Sequence, residues 1–229
     1  MQSKVKLSKR QIKEDKFTAF VLTSKQRVAE NWQFLVIGGV VLVLAVVAVV
    51  YFASSRTSRE AEGSRLFAQG MAEYRNGNRQ VALTTLQEVV DEHGGHETAD
   101  NATYLLGQIQ FELRNFAEAI RWWEQYLAKY RDNRTDRAAA LAGIAAANEE
   151  QGNNAAAAQK YREAAAEYPE GPLAWDYHTG AMRNYLAAGQ VDKAREELDS
   201  LRDKYAGTEI YNRAARLFAA QAVPAKTAP

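Results

Sequence analysis

Ala82, Ala119, Ala157 and Ala194 recur at spacings of 37, 38 and 37 residues, and other residue types keep step with them. Four residues after each alanine stands a large side chain: Leu86, Trp123, Tyr161 and Leu198. Seven after stand Val89, Tyr126, Ala164 and Leu201, and eleven after stand His93, Tyr130, Tyr168 and Tyr205. Five before stand Gly77, Arg114, Gly152 and Gly189, and twelve before stand Gly70, Gly107, Ala145 and Met182. A fixed period of this length is the signature of stacked supersecondary units.

The columns fit a helix–turn–helix unit. The residue twelve before the alanine and the alanine itself mark where two helices approach, so both are expected to be small. The glycine column is the turn, where a left-handed conformation or close approach is required. The large residue four after the alanine fills the gap between helices. Pro169 ends the second helix of the third unit, since proline cannot continue a helix. Thr208 caps a final helix, 209–221, with Tyr211, Ala214, Ala215 and Phe218 facing inward and covering the last apolar face. With only 14 Gly and 4 Pro, an all-β chain of many tight turns is disfavoured. The hydrophobic share of 47% against 25% charged argues for a folded chain.

These columns resemble the tetratricopeptide repeat (TPR) family. Leu141, Ile144, Ala145, Gly152, Ala157, Tyr161, Ala164 and Pro169 fit its pattern in order. The second unit keeps Leu106, Gly107, Phe116, Ala119 and Trp123 but has Arg114 at the turn glycine; the fourth has Met182 where a small residue is usual. The resemblance implies an all-α fold: a right-handed solenoid of about four repeats over residues 63–222, with a C-terminal capping helix. It also implies a concave groove lined by the first helix of each unit. The groove positions carried over are Phe67, Met71 and Tyr74; Tyr104, Gln108 and Phe111; Ala142, Ala146 and Glu149; Thr179, Arg183 and Leu186. The partner-binding residues are expected among them: Phe67, Met71, Tyr74, Tyr104, Gln108, Phe111, Arg183 and Leu186. Phe67, Tyr74 and Phe111 either face the groove or pack between helices. Chaperone-binding relatives use a Lys/Asn/Arg clamp for a terminal carboxylate; Arg183 alone matches it, so that role is not expected.

Ahead of the repeats the chain changes character. Residues 34–52, FLVIGGVVLVLAVVAVVYF, carry no charge. As a helix the run is about 28 Å long, close to the ~30 Å hydrocarbon core. A lone span in lipid must be helical to satisfy its own backbone, and Trp32 and Tyr51 stand at its ends where amphipathic rings favour the interface. The run is longer than a signal-peptide core and lacks a small-x-small exit, so it reads as an uncleaved anchor in contact with lipid. Residues 1–33 carry eight Lys/Arg against three Asp/Glu, which places the arm in the cytoplasm and the repeats on the far side. The arm is either a basic amphipathic helix on an anionic leaflet, with Ser8 and Gln11 as a capping box and Phe17, Phe20, Val21 and Val28 on one face, or an unstructured basic flank. Residues 53–62 read as a linker and 223–229 as a disordered tail.

The overall charge of +1 shows no basic excess for nucleic acid. The lack of cysteine excludes disulfides, thiolate metal sites and a cysteine nucleophile. His93-Gly-Gly-His96 reads as a solvated loop pair without a third ligand, and no phosphate-loop, nucleophile-elbow or zinc-protease pattern occurs. No catalytic residue, metal, cofactor or small-molecule substrate is expected. The layout of tail, anchor and repeats resembles the ancillary-subunit family of the bacterial Sec translocon, through Glu30-Asn31 before the span and Leu66-Phe67-Ala68-Gln69-Gly70 after it. That resemblance implies a single-pass protein of the bacterial inner membrane with periplasmic repeats, its partners translocon subunits, periplasmic chaperones or unfolded chains. The alternatives are a scaffold for envelope assembly or division, similar to the periplasmic TPR coordinator of the Tol–Pal system, and an accessory subunit of a membrane complex.

Overall fold

The computed structural model describes residues 32–94, 97–130 and 133–222; the expectations for the basic arm, for His96 and for residues 223–229 fall outside them. The described residues form helices α1 (Trp32–Arg75), α2 (Arg79–Glu92), α3 (Glu97–Glu112), α4 (Phe116–Lys129), α5 (Arg134–Glu150), α6 (Asn154–Glu167), α7 (Ala174–Ala187), α8 (Val191–Tyr205) and α9 (Glu209–Ala222). The chain divides into two compact units, residues 1–58 and 59–229. In the first, Trp32–Phe52 is 21 residues with a mean hydropathy of 3.0, long and apolar enough to cross a membrane, and its described side chains are exposed. Residues 53–62, polar in sequence, are helical and lie within α1.

The second unit is built from one turn used four times. Gly77, Gly152 and Gly189 adopt φ of +83°, +76° and +72°. In each, the turn residue donates its N–H three residues back and the next residue donates five back, as in Gly152 N to Glu149 O (2.9 Å) and Asn153 N to Asn148 O (2.8 Å). This Schellman pairing satisfies carbonyls that a helix end otherwise leaves orphaned. Arg114 stands at the same place with φ +62°, and its N–H and that of Asn115 make the same two bonds. An arginine can therefore hold the turn, at a backbone cost glycine avoids; its guanidinium is 2.7 Å from Glu150 and lies over the Phe116 ring.

The alanine column now has a cause. The residue after each turn opens the second helix, and its carbonyl accepts from the alanine N–H four on, as Asn78 from Ala82 (3.0 Å) and Asn115 from Ala119 (3.0 Å). All four alanines are fully buried. The small column twelve before them receives the large column four after. A Cβ on Gly70 would meet Leu86 at 2.8 Å, and one on Gly107 would meet the Trp123 indole at 2.6 Å. The same large residues press on the next unit, Trp123 against Gly143 and Tyr161 against Gly180. Trp123 thus lies between the first helices of two consecutive units. The core is accordingly a string of clusters rather than one centre. Leu66, Leu86 and Leu106 share the first, Trp123, Ala140 and Ile144 another, Leu141, Ala164 and Tyr177 a third, and Met182, Leu201 and Phe218 the last.

The unit junctions are longer than the turns and need polar stitching. Arg137 on α5 donates to Leu127 O and Tyr130 O (both 2.9 Å), closing the end of α4, and its Nε reaches Glu167 of α6 at 2.8 Å. α6 stops at Glu167, two residues short of Pro169. Thr208 Oγ1 accepts from Tyr211 N at 3.4 Å at the start of α9, and Ala214 and Phe218 are buried while Tyr211 and Ala215 are half-buried. His93 corrects the solvated-loop reading: it is buried, its ring packed against the face of Gly63. The backbone passes close enough there to enclose the imidazole.

Two glycines separate packing from backbone strain. Gly77→Ala meets no neighbouring atom and is expected to lower unfolding free energy by about 1–2 kcal/mol through its positive φ alone. Gly107→Ala is expected to cost about 1–3 kcal/mol by forcing the indole of Trp123 aside. Trimming that ring should recover part of the loss for Gly107→Ala and none for Gly77→Ala. Urea unfolding of Gly107→Ala/Trp123→Phe and Gly77→Ala/Trp123→Phe against their single variants measures this.

Candidate protein-binding face

Four first helices carry the groove positions: the end of α1, α3, α5 and α7. Their spacing places residues from neighbouring units side by side. Tyr74 donates its hydroxyl to Glu112 Oε1, Gln108 Nε2 donates to Tyr74 Oη at 3.2 Å, and Arg79 Nε reaches Glu112 Oε2 at 3.0 Å. Burial pushes the Glu112 carboxyl up, but the bonds from Tyr74 and Arg79 outweigh it and hold it below the ordinary glutamate value. Tyr74 is pushed up, chiefly because its hydroxyl is committed to that carboxylate.

The aromatic residues are part core and part surface. Phe67, Met71 and Tyr74 are half-buried, packing on the Leu66–Leu86–Leu106 cluster while keeping part of their surface open. Tyr104 stands edge-on to Tyr126 with centroids 5.7 Å apart, and Phe111 lies 5.5 Å from Phe116 and 6.1 Å from Trp123. Ala142 and Ala146 are half-buried and small, so the face narrows in side-chain bulk at α5.

At the fourth unit the face becomes polar. Arg183 grips Glu149 of the preceding unit, with Nη2 at 2.8 and 2.9 Å from the two carboxylate oxygens and Nε at 3.1 Å from Oε1. Tyr161 Oη donates to the same carboxylate at 3.3 Å. Burial raises the Glu149 carboxyl, yet the bonds from Arg183 and its neighbours outweigh it and hold it below the usual range. Burial, with the Glu149 charge beside it, pushes the Tyr161 phenol up to about 12. The single cation that matched a carboxylate clamp is thus already bound within the chain.

Two clefts of about 490 Å³ each flank that pair. One, between α7 and α9, is lined by Trp175, Thr179, Arg183, Ile210, Arg213 and Leu217 among others. The second is lined by Glu149, Arg183, Leu186 and, from α9, Gln221. Thr179, Arg183 and Leu186 were legible as groove positions; the contribution of α9 was missed, although Ile210, Ala214 and Leu217 fall at the spacing of one helical face. Among the described residues no group of three or more His, Asp or Glu is placed to hold a metal ion.

The Glu149–Arg183 contact gives the array an acid-sensitive seam between its third and fourth units. A carboxylate whose pKa is lower folded than unfolded stabilises the fold above the unfolded value, and this contribution is lost as pH falls through the folded one. The increment from Glu149 is therefore fully present above the ordinary value of 4.5 and drains below it. Thermal unfolding followed by circular dichroism is expected to show a shallower acid limb for Glu149→Gln than for the parent, at lower stability above that value. An identical limb would remove the seam from the account.

With this geometry in view, residues 67–134 match the family model described as tetratricopeptide repeat; the third unit, which carries most of the pattern, lies beyond the matched stretch. A search of curated proteins finds no match. Among solved structures, the chain resembles a tetratricopeptide repeat protein from Parabacteroides merdae with a TM-score of 0.57 at 15% identity, covering 68% of this chain and 58% of that one. It also resembles a putative kinesin light chain with nearly identical TPR-like repeats from Podosopora anserina, with a TM-score of 0.54 at 19% identity over 71% and 86% of the two chains. MamA aligns with a TM-score of 0.52 at 16% identity over 69% and 88%. This chain spans little more than half of the Parabacteroides protein. At these identities the likeness is one of fold: a solenoid of helix–turn–helix units like that of tetratricopeptide repeat proteins, with the repeat itself matched over residues 67–134.

Proposed function

We propose that this chain is a non-catalytic scaffold that holds protein partners on the first-helix face of its repeats, next to a membrane in which Trp32–Phe52 is embedded. The observation that carries the reading is the row of half-buried aromatic side chains on that face, Phe67, Tyr74, Tyr104 and Phe111. Rings already fixed by packing lose little entropy when a partner covers their open surface, which makes them effective binding anchors. Tetratricopeptide arrays serve in general as protein-interaction scaffolds, and solenoids display such extended surfaces. The charge-free helix 32–52, whose described side chains are exposed, supports an anchor, and the eight Lys/Arg ahead of it support a cytoplasmic N-terminus with the repeats in the periplasm of a bacterium. The finer assignment is that the scaffold assists the Sec translocon or periplasmic chaperones with emerging polypeptides.

Crosslinking in intact membranes followed by mild detergent extraction is expected to recover translocon channel subunits or periplasmic chaperones. Phe67→Ala with Tyr104→Ala should reduce that recovery several-fold, while costing about 1–3 kcal/mol per ring in stability because each is half core. Unfolding curves on the same variants establish that the array remains folded at the assay temperature. Recovery of envelope-assembly or division proteins alone would replace the translocon assignment and leave the scaffold. Undiminished recovery from a folded double variant would remove the aromatic face from the mechanism.

A further inference from the structure

The cleft between α7 and α9 has a charge pattern that selects its occupant. Four charged side chains line it: Asp176, Arg183, Glu209 and Arg213. Three are accounted for within the fold. Arg183 is bound to Glu149 at 2.8 Å, and Glu209 to Arg216 at 2.7 Å. Asp176 lies in the first turn of α7, where the helix N-terminus favours a negative charge. Arg213 is exposed and has no carboxylate within ion-pair reach among the described residues. It also sits near the N-terminal end of α9, where the helix offers a cation no compensation. The cleft floor is apolar, formed by Trp175, Ile210, Ala214 and Leu217. Its volume, about 490 Å³, lies within the usual range for pockets that enclose a ligand group.

We infer that this cleft takes a large apolar side chain of a partner polypeptide, and that an Asp or Glu side chain next to it in the same segment is received by Arg213. The inference rests on the reading of the array as a protein-binding scaffold and names the chemistry of the segment it holds. A guanidinium offers a carboxylate paired donors in fixed geometry, and beside an apolar floor the pair is less screened than on an open surface. The carboxylate belongs to a side chain rather than to a chain end, because Arg183 lines both this cleft and the one beside Leu186 and Gln221. A segment anchored here has lined surface to continue along.

The test uses the full chain in detergent micelles and two fluorescein-labelled peptides blocked at both ends, Gly-Leu-Asp-Phe-Gly and its Gly-Leu-Lys-Phe-Gly counterpart. Anisotropy titration is expected to show the aspartate peptide binding about tenfold more tightly, the effect of one charge-assisted pair, with the advantage shrinking as salt is raised. Arg213→Glu, a change at an exposed position, should invert the preference, and Trp175→Ala should weaken both peptides. Equal affinities, no saturable binding of either peptide, an unchanged preference in Arg213→Glu, or tighter binding only with an unblocked C-terminus would each overturn the inference. The two readings fail separately. If Arg213→Glu changes nothing while Phe67→Ala with Tyr104→Ala still reduces partner recovery, the scaffold stands and this cleft does not. If the peptides behave as expected while the aromatic variants recover partners undiminished, this cleft stands and the aromatic face does not.

Discussion

The close approach of a small residue on one helix to a large one on the next decides most of this architecture. Where Gly107 faces Trp123, the absence of a single Cβ lets an indole lie flat against backbone, and the same ring then meets Gly143 of the following unit. Tyr161 repeats this against Gly180. The Trp123 ring therefore fixes two relations at once: the pairing of helices within its unit and the placement of the next unit's first helix. Because every unit is located by its neighbour, the first helices follow one another and their open sides form a continuous face. The face that reads as functional is thus a by-product of the packing rule, and it cannot be moved without changing that rule.

Ion pairs follow the same period. Arg79–Glu112, Arg114–Glu150 and Arg183–Glu149 each join residues of consecutive units, at 2.7–3.0 Å, and Arg134–Glu170 (2.8 Å) ties the start of the third unit to the segment that follows its second helix. These are largely solvent-exposed pairs, worth about 0–1 kcal/mol each, so they adjust the stack more than they hold it. Their consequence for function is larger. By pairing Arg183 and Glu112 within the chain they take these two charges out of the first-helix face and leave its aromatic edges open.

Much of the fold was legible because it depends on residues with few substitutes. A left-handed turn calls for glycine, so Gly77, Gly152 and Gly189 announce it, and a tight crossing calls for Gly or Ala beside a large ring. Arg114 shows the limit: a lone arginine gives no warning of positive φ, and only its place in the column reveals it. Burial of His93 was not legible, since it depends on the backbone of Gly63 arriving from another helix. The first-helix positions were found through the repeat register, but their half-burial was not, because exposure depends on how far each ring leans into the neighbouring unit. The cleft between α7 and α9 escaped for a related reason. The last helix is read from sequence as a cap with one inward face, whereas its adjacent face, Ile210 and Leu217, becomes a wall only once α7 is beside it.

On the proposed function, partners meet the first-helix side of the array and not its second-helix side. A photoreactive amino acid placed in living cells at Gln108 on α3, and separately at the exposed Glu124 on α4, reads this directly. Discrete crosslinked protein products are expected from position 108 and none above background from position 124. Products of equal yield from both positions, or from 124 alone, would contradict it.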